Sequence, residues 1–307
     1  VGWWNSFVAG DFDNDGDIDY VVGNLGTNSY LRASYEYPVR IYEKDFDNNN
    51  KTEIIPTTSI KDENGVRREF TVNNRDEIIE QLPGLKKKFL TYKEFGRADI
   101  RAVLGQQLDE AFTLQANYFK SSYLQNEGNG RFTMKALPAQ FQLAPIYGMI
   151  AEDLNADGYL DLVASGNDYG NEVANGRYDA LNGIVAFGDG KGNFIPKRVD
   201  SAGLYIPGDG KALVKLKGPD DKLLVAASQN RGPLKLFRSN SGHSIKSLMA
   251  NDQYVVVHLK TGGARKEEVY HGSSFLSQSA PLLFINSSVD SMDIFDRSGV
   301  RRTVRPN

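Results

Sequence analysis

The sequence predicts a mainly β protein. Four-stranded antiparallel units run along most of the chain, a short helical insertion interrupts them, and a small all-β domain closes the C-terminal part. Three observations carry this expectation. Short apolar runs of strand length flank an acidic nine-residue loop three times over. Two glycine-rich turns, Asn126 to Phe132 and Gly188 to Phe194, each end in an aromatic and follow a strand-like run, as hairpin turns do. One loop hairpin plus one glycine-turn hairpin makes a repeat of roughly 50 residues, the size of a propeller blade.

The loops come first in the argument because they carry chemistry. Positions 1, 3, 5 and 9 hold Asp11, Asp13, Asp15 and Asp19 in the first loop, and Asp45, Asp47, Asn49 and Glu53 in the second. The third has Asp153, Asn155, Asp157 and Asp161. Oxygen groups at that spacing wrap a short turn around one hard cation, which takes six to eight oxygens. Position 7 (Asp17, Lys51 or Tyr159) adds a backbone carbonyl. Position 6 needs a sharp turn, which suits Gly16 and Gly158, with Asn50 the next most tolerant choice. No sulfur or imidazole is in the set, and the oxygen-rich, flexible geometry favours calcium over magnesium. These are not EF-hands. Position 12, where an EF-hand places a bidentate Glu, is Val22, Pro56 or Ala164. The flanks are strands, not helices: Phe7–Ala9 and Tyr20–Val22, Val39–Ile41 and Ile54–Ile55, Met149–Ala151 and Leu162–Ala164. The plainer reading is three solvated acidic turns. With four carboxylates, the first loop is expected to bind tightest.

The remaining elements follow in order. The second loop is expected to share a unit with the first glycine turn, across an insertion of about residues 61–119. The middle of that insertion reads as helical: Asn74 caps a segment from Arg75, Pro83 starts another over Leu85–Leu90, and a third spans Ala98–Leu104 and ends at Gly105. Lys86–Lys88 reads as a solvated face. The clearest complete unit spans about residues 145–199. A unit without an acidic loop follows, with strands at Ala212–Leu216, Leu223–Ala227 and Leu234–Phe237. Residues 1–239 are thus one region. The polar, turn-rich stretch from Ser239 onward marks a boundary, and residues 240–307 form the C-terminal domain. Its strands are expected at Tyr254–Leu259, Glu268–Tyr270, Leu282–Ile285 and Ser291–Phe295.

Composition is globular, with 40% hydrophobic and 24% charged residues and a net charge of -3. No basic stripe points to nucleic acid, no apolar run is long enough to span a bilayer, and the lack of cysteine excludes disulfides and thiol chemistry. Weak calcium loops fill where calcium is millimolar, which favours an extracellular or cell-surface setting, including the periplasm or the outer membrane. A chain that opens almost on a strand, without Met or a signal-peptide pattern, is expected to be a piece of a longer secreted polypeptide.

A catalytic reading needs a nucleophile, a base and an orienting group. His243, His258 and His271 are the three histidines, and none has a partner that sequence establishes. Carboxylates that ligate a metal are held ionised, so the loops are poor general acids. No catalytic residue is assigned, and the chain is expected not to be an enzyme. Trp3, Trp4 and the tyrosines Tyr30, Tyr35, Tyr37, Tyr169, Tyr178 and Tyr205 would hold sugar faces or protein anchors if exposed. For the tryptophans, packing within or between units is the simpler expectation. The polar loop from Tyr169 to Asp179 is the expected ligand surface.

Loops and glycine turns together resemble the FG-GAP/VCBS repeats of integrin-α-like β-propellers. The stretch Tyr270, His271, Gly272 through Leu276, Ser277, Gln278 and Ser279, with Phe284 and Val289–Gly299, resembles the ASPIC/UnbV domain. That family carries a Gly-x-x-Leu-Ser-Gln motif. Its Phe-Gly-Leu-Gly stretch reads Phe284 to Ser287 here, and Phe295 stands at its Trp position. Gly2–Asn5 and Gly176–Asp179 resemble segments of large secreted Bacteroidetes-type repeat proteins. The resemblance implies an exported, calcium-stabilised protein of a family known for adhesion and ligand binding. Two functional expectations follow: a non-enzymatic calcium-binding module for a glycan or protein ligand, or the accessory part of a polysaccharide-utilisation or nutrient-uptake protein whose activity lies elsewhere.

Overall fold

The computed structural model describes residues 1–171, 176–240 and 244–306. Antiparallel sheets dominate, with a few short helices. The chain divides into two compact units. One comprises Val1–Trp3 and Ser29–Phe119, the other Trp4–Asn28 and Lys120–Asn307.

The larger unit opens with β1 (Ser6–Gly10) and β2 (Asp19–Gly23), the arms of the first acidic loop. The smaller unit then intervenes. Its strands are β3 (Val39–Lys44), β4 (Glu53–Lys61), β5 (Arg67–Thr71) and β6 (Phe112–Ala116), ordered β5-β4-β3-β6, and the second loop joins β3 to β4. Four helices, α1 (Arg75–Gln81), α2 (Leu85–Lys88), α3 (Tyr92–Gly96) and α4 (Ile100–Leu104), lie between β5 and β6. Sequence chemistry explains their ends. Asn74 with Glu77 and Thr91 with Glu94 form capping boxes, Asp99 caps α4, and Gly105 stops it at φ 63°. Alternation along the sheet sends Tyr42 and Ile55 into a core with Ile78, Phe89, Phe95, Ile100 and Val103.

Back in the larger unit come β7 (Ser122–Asn126), β8 (Phe132–Ala136), β9 (Ile146–Glu152), β10 (Asp161–Gly166), β11 (Ile184–Gly188) and β12 (Phe194–Pro196). After α5 (Val199–Ala202) follow β13 (Gly210–Lys217), β14 (Leu223–Gln229) and β15 (Lys235–Arg238). The sheets are β1-β2-β7-β8, β12-β11-β10-β9 and β13-β14-β15. Every residue of β10 is buried, so Leu162, Val163 and Ala164 run together as apolar where a half-exposed strand would alternate. Met149 and Leu162 face a core with Val8, Val21, Tyr123 and Phe194. Their neighbours Ile150 and Val163 face Leu213, Leu223 and Val225 on the other side. The C-terminal region adds β16 (Ser244–Ser247), β17 (Asp252–Leu259), β18 (Ala264–Glu268), β19 (Leu282–Ile285), β20 (Val289–Asp296) and β21 (Arg301–Val304), in sheets β16-β19 and β18-β17-β20-β21. Ile245 and Phe284 pack into the same core as β13 and β14.

Two expectations are corrected. The first loop, not the second, shares a sheet with the first glycine turn, because β2 pairs with β7 (Tyr20 with Leu124, Val22 with Ser122). The inserted unit accordingly starts at Ser29 and contains the second loop with its own sheet. The expected strand at Glu268–Tyr270 lies earlier, at Ala264–Glu268. Its inward residue is Arg265, which ion pairs hold there rather than apolarity.

Candidate metal centre

All three acidic loops are wired alike from their own backbones. The position 9 carboxylate accepts the N–H of position 2: Phe12 to Asp19 at 3.2 Å, Phe46 to Glu53 at 2.8 Å, Leu154 to Asp161 at 2.8 Å. The position 1 carboxylate accepts the N–H of position 6: Gly16 to Asp11 at 3.1 Å, Asn50 to Asp45 at 2.8 Å, Gly158 to Asp153 at 3.0 Å. The position 5 oxygen accepts from position 7: Asp17 to Asp15, Lys51 to Asn49, Tyr159 to Asp157. Positive φ at position 6 (Gly16 93°, Asn50 66°, Gly158 95°) bends the chain as expected. Position 4 is also left-handed, at Asn14 (60°), Asn48 (59°) and Ala156 (62°). Asn at two of the three positions was a readable signal for that geometry.

The side chains converge in two loops. Oxygens of Asp11, Asp13 and Asp15 lie within 4.8 Å of one another, as do those of Asp45, Asp47 and Glu53. In the third loop Asn155 takes one carboxylate's place, and its amide donates to Asp157 Oδ2 at 2.9 Å. Asp11, Asp19, Asp153 and Asp161 are fully buried. Burial pushes Asp11 up to about 6, with Asp15 and Asp13 adding repulsion against the N–H donors of Lys266 and Gly16. Burial also drives Asp13 up to about 6, helped by Asp19 and Asp15, and Asp161 up to about 7. Asp19 is raised by burial against three hydrogen bonds that favour its charge.

Position 9 also ties the two hairpins of a sheet together. Asn126 N–H donates to Asp19 Oδ1 at 2.8 Å and Gly188 N–H to Asp161 Oδ1 at 3.0 Å, both from the strand ends that enter the glycine turns. Phe12, Tyr123 and Phe194 form an edge-to-face triangle beneath the first loop, with centroids 5.5 to 5.9 Å apart. The donor set fits a hard divalent cation: carboxylate oxygens crowd together, and burial first, then mutual repulsion, holds several above their ordinary range. Among the described residues no Lys, Arg or His reaches ion-pair distance of a carboxylate in the first two loops, whereas Arg265 does so in the third.

Other expected residues take plainer places. His258 Nε2 pairs with Asp293 Oδ2 at 3.0 Å across β17 and β20, His271 is exposed, and His243 lies outside the described residues. Trp3 stacks on Phe119 at 5.7 Å and Trp4 lines a surface hollow with Phe7, Tyr20 and Leu124, yet each stays 45% exposed, so packing covers them only in part. Of the polar loop at Tyr169–Asp179, residues 172–175 lie outside the described residues. At its base Asp168 and Tyr178 bridge backbone to backbone, Arg177 lies over the Tyr169 ring at 4.6 Å, and Tyr147 donates to Asp168 at 2.9 Å. Lys211 sits over the Tyr147 ring at 3.7 Å and pairs with buried Asp209 at 2.8 Å. Among the described residues no helix is long and apolar enough to cross a membrane. No protein-family model and no curated protein matches this chain.

Proposed function

We propose that the chain is a calcium-stabilised binding module built of FG-GAP/VCBS-type propeller blades with an ASPIC/UnbV-like C-terminal domain. It works outside the cell or at its surface and binds a glycan or a protein ligand without turning it over. The observation that carries the calcium part is the first loop: Asp11, Asp13 and Asp15 crowd together, with no described side-chain cation within ion-pair reach. Asp11, Asp13, Asp15 and Asp19, with the Asp17 carbonyl, would hold one ion there, and Asp45, Asp47, Asn49 and Glu53, with the Lys51 carbonyl, another. Bound calcium supplies the positive charge these turns lack and so fixes each hairpin's geometry. The same carboxylates organise the fold without it, because position 9 already joins loop hairpin to glycine turn.

The ligand surface belongs at the Tyr169–Tyr178 loop. A partly exposed tyrosine under an arginine and a Lys–Asp–Tyr network at the base offer a stacking face beside fixed polar groups, a combination that suits a sugar ring. The test is thermal unfolding with excess calcium and with excess chelator, alongside a glycan array. A melting temperature that chelator leaves unchanged defeats the calcium reading. Turnover of any arrayed glycan defeats the non-enzymatic one.

A further inference from the structure

The third acidic loop differs from the other two in one respect that its own nine residues do not show. Arg265, from β18 in the C-terminal domain, is 1% exposed and reaches the loop from 104 residues past its last carboxylate. Its Nη1 donates to the Gly158 carbonyl at 3.1 Å and lies 3.6 Å from Asp153 Oδ2, while its Nε donates to Glu267 at 3.0 Å. The same edge of the loop is fastened by Asn286 Nδ2 to the Asp153 carbonyl at 2.9 Å and by Ser288 Oγ to Asp153 Oδ2 at 3.0 Å. The next residue of β18 treats the first loop differently. Lys266 gives Asp11 only its backbone N–H, at 2.8 Å, and its ammonium pairs with Glu268. One strand thus presents a neutral donor to the first loop and a buried guanidinium to the third.

We infer that Arg265 is the resident cation of the third loop, so that this loop closes without metal and the chain takes up two calcium ions rather than three. The inference rests on the calcium reading of the first two loops. A guanidinium that cannot lose its proton and touches the position 1 carboxylate repels a divalent ion on that carboxylate, and poor solvation strengthens the repulsion. Glu267 and Glu152 offset part of that charge, but Nη1 is aimed at the loop and not at them. Asn155 also stands at position 3, where the others have Asp13 and Asp47, which leaves three carboxylates against the four of the first loop. Calcium at the third loop is expected to be about 100-fold weaker than at the first.

Calcium alone is the probe. Protein stripped with chelator is titrated calorimetrically, and bound metal is counted by mass spectrometry after gel filtration. The wild-type chain is expected to hold two equivalents, Asp157→Asn also two, and Arg265→Gln three, with calcium restoring the melting temperature that Arg265→Gln loses. Arg265→Lys, which keeps the charge, is expected to stay at two. Three equivalents in the wild type, one of them lost in Asp157→Asn, overturn the inference. So does an Arg265→Gln chain that gains no equivalent. If Arg265→Gln fails to fold, the Asp157→Asn count decides alone. None bound to the wild type sinks the calcium reading itself, an outcome distinct from three.

Discussion

The first and second loops share a local design and differ in everything brought to them from a distance. Both use position 9 to hold the position 2 N–H and position 1 to hold positions 5 and 6. The second stops there, with Asp47, Asn49 and Asn50 exposed at a hairpin tip. The first is enclosed: Asp19 also takes the Tyr123 hydroxyl at 2.7 Å and the Asn126 N–H at 2.8 Å, Asp13 takes Gln125 at 2.8 Å, and Asp11 takes Lys266. A nine-residue code therefore specifies the turn, while strands over 100 residues away set how desolvated its charges are. An enclosed loop gains more from a metal and costs more to break.

The largest expected effect sets those two loops against each other. Asp19→Ala strips partners from Phe12 N–H, Tyr123 Oη and Asn126 N–H, two of them deeply buried. At about 1–3 kcal/mol for each donor so exposed, partly relieved by relaxation, the loss is roughly 3–5 kcal/mol. Glu53→Ala strips one, Phe46 N–H, for about 1–2 kcal/mol. Denaturant unfolding in chelator measures both, and equal losses would break the comparison.

The pH dependence sharpens it. Folding raises Asp11 and Asp13 to about 6, above the unfolded value near 4, so the folded chain binds more protons between those limits. Stability that these groups contribute in the metal-free protein is present below about pH 4 and is lost as pH rises toward 6. For fully buried Asp11 the change is on the order of 3 kcal/mol. Calcium needs the ionised carboxylates, so its affinity for the first loop should fall about tenfold per pH unit below 6 for each proton displaced, up to about a hundredfold for two. Calorimetry at pH 7.5 and at pH 5 reads this directly, and a flat affinity contradicts it.

A smaller effect isolates the enclosure itself. Tyr123→Phe keeps the ring that packs against Phe12 and Phe194 and removes only the hydroxyl that Asp19 accepts. The expected cost is about 1–2 kcal/mol. A calcium affinity at the first loop that stays unchanged would mean that the tyrosine braces the sheet and not the carboxylate.

These contrasts also mark how far the sequence could be read. The mainly β class, the loop spacing, the strand flanks, the Asn74 cap and the Gly105 stop are local features, and each was legible because the residues that cause it are neighbours. The Thr91–Glu94 capping box was equally local and went unread in a lysine-rich stretch. The pairing of β2 with β7 across the inserted unit was not legible, because strand partners are chosen by cores assembled from distant segments. Arg265 is the extreme case: in a run as polar as Ala264–Glu268 no periodicity marks the residue that will be buried.

The smallest expected effect comes from a local feature the sequence half declared. Position 4 is left-handed in every loop, and the first two use Asn, which tolerates that conformation. The third uses Ala156 at φ 62°, where a Cβ is crowded by the neighbouring carbonyl and no side-chain oxygen compensates. Relieving that strain should stabilise the larger unit, and Ala156→Gly is expected to add about 1 kcal/mol, a rise of a few degrees in melting temperature. Ala156→Asn should give a similar gain. Asn14→Ala in the first loop should cost a similar amount, plus the 3.2 Å hydrogen bond that Asn14 Nδ2 gives to the Gly158 carbonyl. If Ala156→Gly destabilises instead, the third loop is held by Arg265 and its neighbours so firmly that backbone preference no longer matters there, and the three loops, alike in wiring, would differ in what closes them.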